Sequence, residues 1–223
     1  MRKRLLILLA LVGLPAMLHA QDSRLDARLD TATRAVVSRS IDTARQLGLA
    51  VEPLVDKALE GATKRAAPPR LQAAVDALLH RMEISRDALA PDPAPRDIVA
   101  GADALAYGAT REALSTMRSI RPNGSLAVPL AVLTQLVASG VPVTRATRAV
   151  ADLLKRGARD EQLIALQDDV RSYVAAGASP EAALDVRTRG LSAVLPPGGA
   201  GAGARTGDVT TPGATSATGG KKP

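Results

Sequence analysis

A helical apolar stripe recurs along this chain and decides the fold class before anything else is read. Leu71, Val75, Leu78 and Met82 stand at i, i+4, i+7 and i+11, the spacing that stacks side chains on one face of a 3.6-residue turn. The same pattern returns in Leu126, Leu130, Leu133 and Val137, in Val143, Ala146, Val150 and Leu153, and in Leu163, Leu166, Val170 and Tyr173. A more polar version runs from Arg24 to Leu47 through Leu25, Leu29, Ala32, Val36 and Ile41. No segment alternates convincingly with a period of two. The expectation is an all-α fold.

What fills the core is equally restricted. The chain has no Cys, Phe or Trp, and its only aromatics are Tyr107 and Tyr173. The core must therefore be leucine, valine, isoleucine and alanine on closely packed helices, without disulfides. A deep ligand pocket with aromatic walls is disfavoured. So is nucleic-acid binding, because bases have almost nothing to stack on. The formal charge of +7 overstates the basic character. Arg2, Lys3 and Arg4 carry three of those charges, and Arg205, Lys221 and Lys222 against Asp208 carry two more. The body between them is an ordinary surface of mixed sign.

Four segments punctuate the stripes in the same way. Gly48-Leu49-Ala50-Val51-Glu52-Pro53, Gly108-Ala109-Thr110-Arg111, Gly140-Val141-Pro142-Val143 and Gly177-Ala178-Ser179-Pro180 each put a glycine where a helix ends in a left-handed cap. A new helix start follows within three residues. The glycines are 60, 32 and 37 positions apart, so the expectation is stacked helical hairpins, an irregular helix-turn-helix repeat, with a compact helical bundle as the alternative. Ala67-Pro68-Pro69 precedes a helix expected near Arg70. The segment Ala90-Pro91-Asp92-Pro93-Ala94-Pro95 cannot be crossed by a helix. It divides the expected units into residues 21–90 and 96–195, with 91–95 as a Pro-rich linker; the two could equally share one core.

The ends read differently. Met1-Arg2-Lys3-Arg4 precedes the apolar run from Leu5 to Leu18, and Leu18-His19-Ala20 offers a cleavage point before Gln21. This is the pattern of a secretory signal peptide over 1–20. The run is shorter than the roughly 20 residues that a bilayer core demands, so no transmembrane segment is expected after cleavage. The mature protein is expected in the periplasm or outside the cell. From Pro196 to Pro223 the chain is Gly, Pro, Ala, Ser and Thr with Val209 as its one larger apolar residue, a disordered tail by composition.

Catalytic and metal-binding patterns are missing. The mature chain has a single histidine, His80, placed opposite the Leu71 stripe, and it carries neither a two-histidine zinc site nor a serine-nucleophile motif. No catalytic, cofactor or metal residues are assigned. Glu52, Asp56 and Glu60 lie at i, i+4 and i+8 with Lys57 and Lys64 beside them. That row is either a surface for a cation or a basic partner or a solvated face whose charges pair among themselves. Asp168 and Asp169 are adjacent and therefore diverge by about 100°. Asn123-Gly124-Ser125 matches a glycosylation acceptor but reads better as turn chemistry.

The stretch Glu-Pro-Leu-Val-Asp-Lys-Ala-Leu-Glu-Gly-Ala-Thr-Lys-Arg at 52–65, with Pro68-Pro69-Arg70-Leu71 after it, resembles a segment of uncharacterised exported bacterial helical proteins. The resemblance covers about a fifth of the chain. It implies export and helices, brings no known activity, and assigns no functional residue. The function expected is that of a non-enzymatic interaction or scaffold protein of the cell envelope with a protein or peptide partner. The alternatives are a carboxylate-dependent envelope enzyme using Glu52, Asp56 or Glu60, and a weak binder of anionic envelope polymers through Lys221, Lys222 and scattered arginines.

Overall fold

The computed structural model describes residues 23–196. The leader expected over 1–20 lies outside the described residues, as does the expected tail from position 197 onward. The described chain forms ten helices and, among the described residues, no strand. They are α1 Ser23–Asp26, α2 Thr31–Gln46, α3 Glu52–Thr63, α4 Pro68–Ala88, α5 Pro95–Ala106, α6 Arg111–Ile120, α7 Ala127–Ala138, α8 Val143–Lys155, α9 Asp160–Ala175 and α10 Pro180–Val194. The fold is all-α.

Helix α4 shows how sequence becomes packing. It starts at Pro68 rather than near Arg70, because two prolines in a first turn forfeit only amides that have no helical partner anyway. Its stripe of Leu71, Val75, Leu78 and Met82 is buried as the spacing predicts, joined by Leu79, Ser85 and Ala88. Truncating any one of those leucines to alanine costs about 2–5 kcal/mol.

The polar stripe drawn from Arg24 to Leu47 is corrected. Asp30 interrupts it, its carboxylate accepting the Ala32 and Thr33 amides at 3.0 Å each and starting α2 afresh. Within α2 the buried face is Thr33, Val37, Ser40, Ile41 and Ala44, whereas Ala32 is exposed and Val36 only half-buried. Val36 and Val37 suit two different stripes, and tertiary contact selects between them. The Ser40 hydroxyl donates to Asp76 of α4 at 2.6 Å, which turns the Val37 side inward. Tyr173, read as part of the α9 stripe, is 44% exposed.

The glycine turns share one geometry. Gly48, Gly108, Gly140 and Gly177 all have positive φ, and Gly157, outside the four expected turns, joins them. After each, the next residue donates its amide to a carbonyl five positions back: Leu49 to Ala44, Ala109 to Ala104, Val141 to Leu136, Ala158 to Leu153 and Ala178 to Tyr173. This is the Schellman closure of a helix end. Leu49, Ala109, Val141 and Ala158 bury the side chain that follows the cap, so each turn is pinned to the core as well as hydrogen-bonded.

Those turns set the helices in two rows. Helices α2, α4, α6, α8 and α10 pack each on the next, while α5, α7 and α9 form the opposite row and α1 lies against α3. Neighbours within the even-numbered row run the same way: Arg145 near the start of α8 pairs with Glu181 near the start of α10. A Cβ on Gly140 would sit 3.1 Å from Pro180 Cγ, and one on Gly108 3.9 Å from Val143 Cγ1, so successive turns lie against one another. Two apolar clusters fill the interior. One gathers α1–α4 with Ile98 and Ala102 of α5, and the other gathers α6–α10 with Ala88, Leu89 and Ala104. Helices α4 and α5 thus supply both clusters from either side of the Pro-rich segment.

Candidate binding surface

Helix α3 does carry Glu52, Asp56 and Glu60 along one exposed face. Two of the three are already paired. Glu52 meets Arg24 of α1 at 2.8 Å, and Glu60 is held between Lys57 at 2.6 Å and Lys64 at 2.5 Å. Lys57 and then Lys64 hold the Glu60 carboxyl down to about 2. None of the grooves described below is lined by Glu52, Asp56 or Glu60.

The other candidates separate as their spacing requires. The His80 side chain is 72% exposed, with Nδ1 3.8 Å from Glu83 Oε2. Asp168 pairs with Arg171 at 3.0 Å along its own helix, and Asp169 pairs with Arg187 of α10. No group of three histidine or carboxylate side chains among the described residues is placed to hold a metal ion. Nor is any described helix long and apolar enough to cross a membrane.

One polar cluster was not anticipated. Asp97, in the first turn of α5, is 2% exposed. Its carboxylate accepts from the Ser125 hydroxyl at 2.7 Å, the Ala127 amide at 3.0 Å and Arg118 Nη2 at 3.1 Å. Arg118 also donates to the carbonyls of Leu89, Arg121, Pro122 and Gly124. Every acceptor and donor needed to bury this pair is therefore in place. The cluster fastens the 121–126 loop, including the Asn123-Gly124-Ser125 turn, to the starts of α5 and α7. A cavity of about 360 Å³ adjoins it and is lined by both residues, but Asp97 and Arg118 are chiefly engaged with each other and with the loop.

Open grooves run between neighbours of the even-numbered row. Between α2 and α4 lies one of about 350 Å³, and between α6 and α8 one of about 330 Å³. The α8–α10 groove is larger, at about 910 Å³. Arg145, Arg148, Lys155, Arg156 and Arg189 line it against only Asp152 and Asp185, so its walls are basic although the body as a whole is mixed. Arg145 is clasped by Glu181 at 2.5 Å and Asp185 at 3.3 Å, closing one end. Lys155 lies 3.3 Å from Asp152 with both side chains more than half exposed. Among the described residues Arg148 and Arg156 have no carboxylate partner. Arg189 spends its Nε on the Asp185 carbonyl of its own helix.

Four of its five cations stand on α8 or its C-terminal cap and only Arg189 on α10, so the sequence shows most of the charge but not the second wall, whose pairing with α8 depends on the turns. Comparison of the chain with protein-family models, with curated proteins and with solved structures finds no match.

Proposed function

We propose that this chain is an exported, non-enzymatic binding or scaffold protein of the bacterial cell envelope, built as stacked helical hairpins. Its working face is the even-numbered row. The observation that carries this reading is the groove of about 910 Å³ between α8 and α10, open to solvent and lined by five basic side chains against two acidic ones. Helical arrays present such inter-helix furrows as extended surfaces for protein or peptide partners. The α3 row fits the role less well, because Glu52 and Glu60 are already engaged by Arg24, Lys57 and Lys64.

The test is a crosslinked pull-down of the tagged mature protein from its own cell envelope, read by mass spectrometry beside a positive control of similar abundance. The expected result is a reproducible partner that survives reversal of Glu52, Asp56 and Glu60 to lysine. Recovery of no partner while the control succeeds would remove the binding-protein reading.

A further inference from the structure

We propose that the outer face of α8 is a docking site for an acidic, amphipathic peptide segment of a partner protein. The inference rests on the binding-protein reading above and adds the ligand's chemistry. Helix α8 is a ridge between two troughs of opposite character. On one side is the basic α8–α10 groove; on the other is the α6–α8 trough, whose floor includes Ala109, Ala113, Val143 and Ala151. Arg148, Asp152 and Lys155 line both. They stand at i, i+4 and i+7 and so crest the ridge.

This pairing selects the ligand. A segment lying along α8 can lower small apolar side chains into the α6–α8 trough while its carboxylates reach Arg148 and Arg156 across the crest. Both guanidiniums lack a carboxylate partner among the described residues, so a new ion pair there breaks no existing one. The 13 residues of α8 give a seat about 20 Å long, enough for a few turns of helix or a shorter extended strand.

Charge argues against the nearest alternative occupant. Residues 197–223 of this same chain carry Arg205, Lys221 and Lys222 against Asp208 alone, the same sign as the groove. Nucleic acid is disfavoured because no aromatic side chain lines either trough. A flat lipid surface does not follow a furrow between two helices.

The test uses the full mature chain and a fluorescein-labelled peptide of leucine, alanine and glutamate with its carboxylates on one helical face, read by anisotropy at low and moderate salt. Binding is expected to weaken about tenfold or more in Arg148→Glu/Arg156→Glu. It should weaken also with salt, as paired surface charges are screened, and on Ala151→Glu, which puts a charge in the apolar trough. Lys57→Glu/Lys64→Glu on α3 should leave it unchanged, and circular dichroism should show each variant folded. Absence of binding, or affinity equal in the α8 and α3 variants, would overturn the site. Equal displacement by polyphosphate or by phosphatidylglycerol vesicles would overturn the peptide assignment. A pull-down partner retained by Arg148→Glu/Arg156→Glu would leave the general function standing and this surface refuted.

Discussion

Arg118 Nη2 lies 3.1 Å from Asp97 Oδ2, with the two side chains 12% and 2% exposed. Fully desolvated pairs are worth little over an apolar substitute, but removing one partner strands the other's charge. Asp97→Ala leaves the buried Arg118 charge with backbone carbonyls but no carboxylate and deprives the Ser125 hydroxyl and Ala127 amide of their acceptor. It should cost about 3–5 kcal/mol, measured by urea unfolding. Asp97→Asn, which keeps an acceptor, should cost less. If Asp97→Ala lowers stability by under about 1 kcal/mol, a typical single hydrogen bond, the cluster does not fasten the loop.

Helices α4 and α5 approach closely at Gly101. A Cβ there would lie 2.1 Å from Ser85 Oγ, 3.2 Å from Ser85 Cβ and 3.0 Å from Leu114 Cδ2. Ser85 is fully buried and its hydroxyl has no hydrogen-bond partner. Gly101→Ala should therefore destabilise by about 1–3 kcal/mol through overpacking. Ser85→Ala should be neutral or stabilising, since it removes an unsatisfied polar group. The double variant should recover part of the loss, giving a coupling of about 0.5 kcal/mol or more in a thermal-unfolding cycle. Additive effects would mean that α4 and α5 are not in this contact.

The contrast between those two sites and the stripes explains what the sequence made legible. Leu71, Val75, Leu78 and Met82 are buried because each position depends only on its neighbours one turn away. Four glycine caps were legible for the same local reason. Gly157 is less legible because Arg159 after it is a poor capping residue. There the Gln162 side chain accepts the Arg159 amide instead. Val36 was misplaced because Val37 beside it offers an equally good stripe, and only Ser40 on Asp76 distinguishes them. Asp97 and its partners are 21 to 30 positions apart, and the α8–α10 groove takes its second wall from α10 even though four of its five cations belong to α8 and its cap. No periodicity reports such distances. The α3 row was visible as a face, but its charges turn out to be largely engaged with nearby lysines and Arg24.

Arg65 is the non-glycine residue with a left-handed backbone among the described residues, at φ 52. It closes α3 as the glycines close α2, α5, α7, α8 and α9, with the Ala66 amide donating to the Gly61 carbonyl at 2.9 Å. A side chain in that conformation costs about 1–2 kcal/mol. Arg65→Gly should therefore raise stability by about 1 kcal/mol, less what the more flexible unfolded chain gains. Gly177→Ala, with open space around its Cβ but φ 98, should lower it by a similar amount. Chemical unfolding of both variants checks the pair. Should Arg65→Gly destabilise, the α3 turn is held by something other than backbone preference.

Glu60 gives a prediction in pH. The Lys57 ammonium first, and Lys64 second, hold its carboxyl at about 2, below the ordinary value of about 4.3. A depressed carboxyl binds its proton more weakly in the folded state. Its contribution is therefore complete above the ordinary value and is lost as pH falls from there through about 2. The Glu60 side chain is 42% exposed, so solvent screening keeps that contribution within the roughly 0–1 kcal/mol of a surface pair. The titration itself is the sharper readout. In a carboxyl-detected NMR titration, Lys57→Met and Lys64→Met should each raise the Glu60 midpoint, and the double variant should return it to the ordinary carboxylate range. Added salt should raise the wild-type midpoint in the same direction. A midpoint unmoved by the double variant would mean that the two lysines do not set it, and the row at 52–64 would again be open as a site for an outside cation.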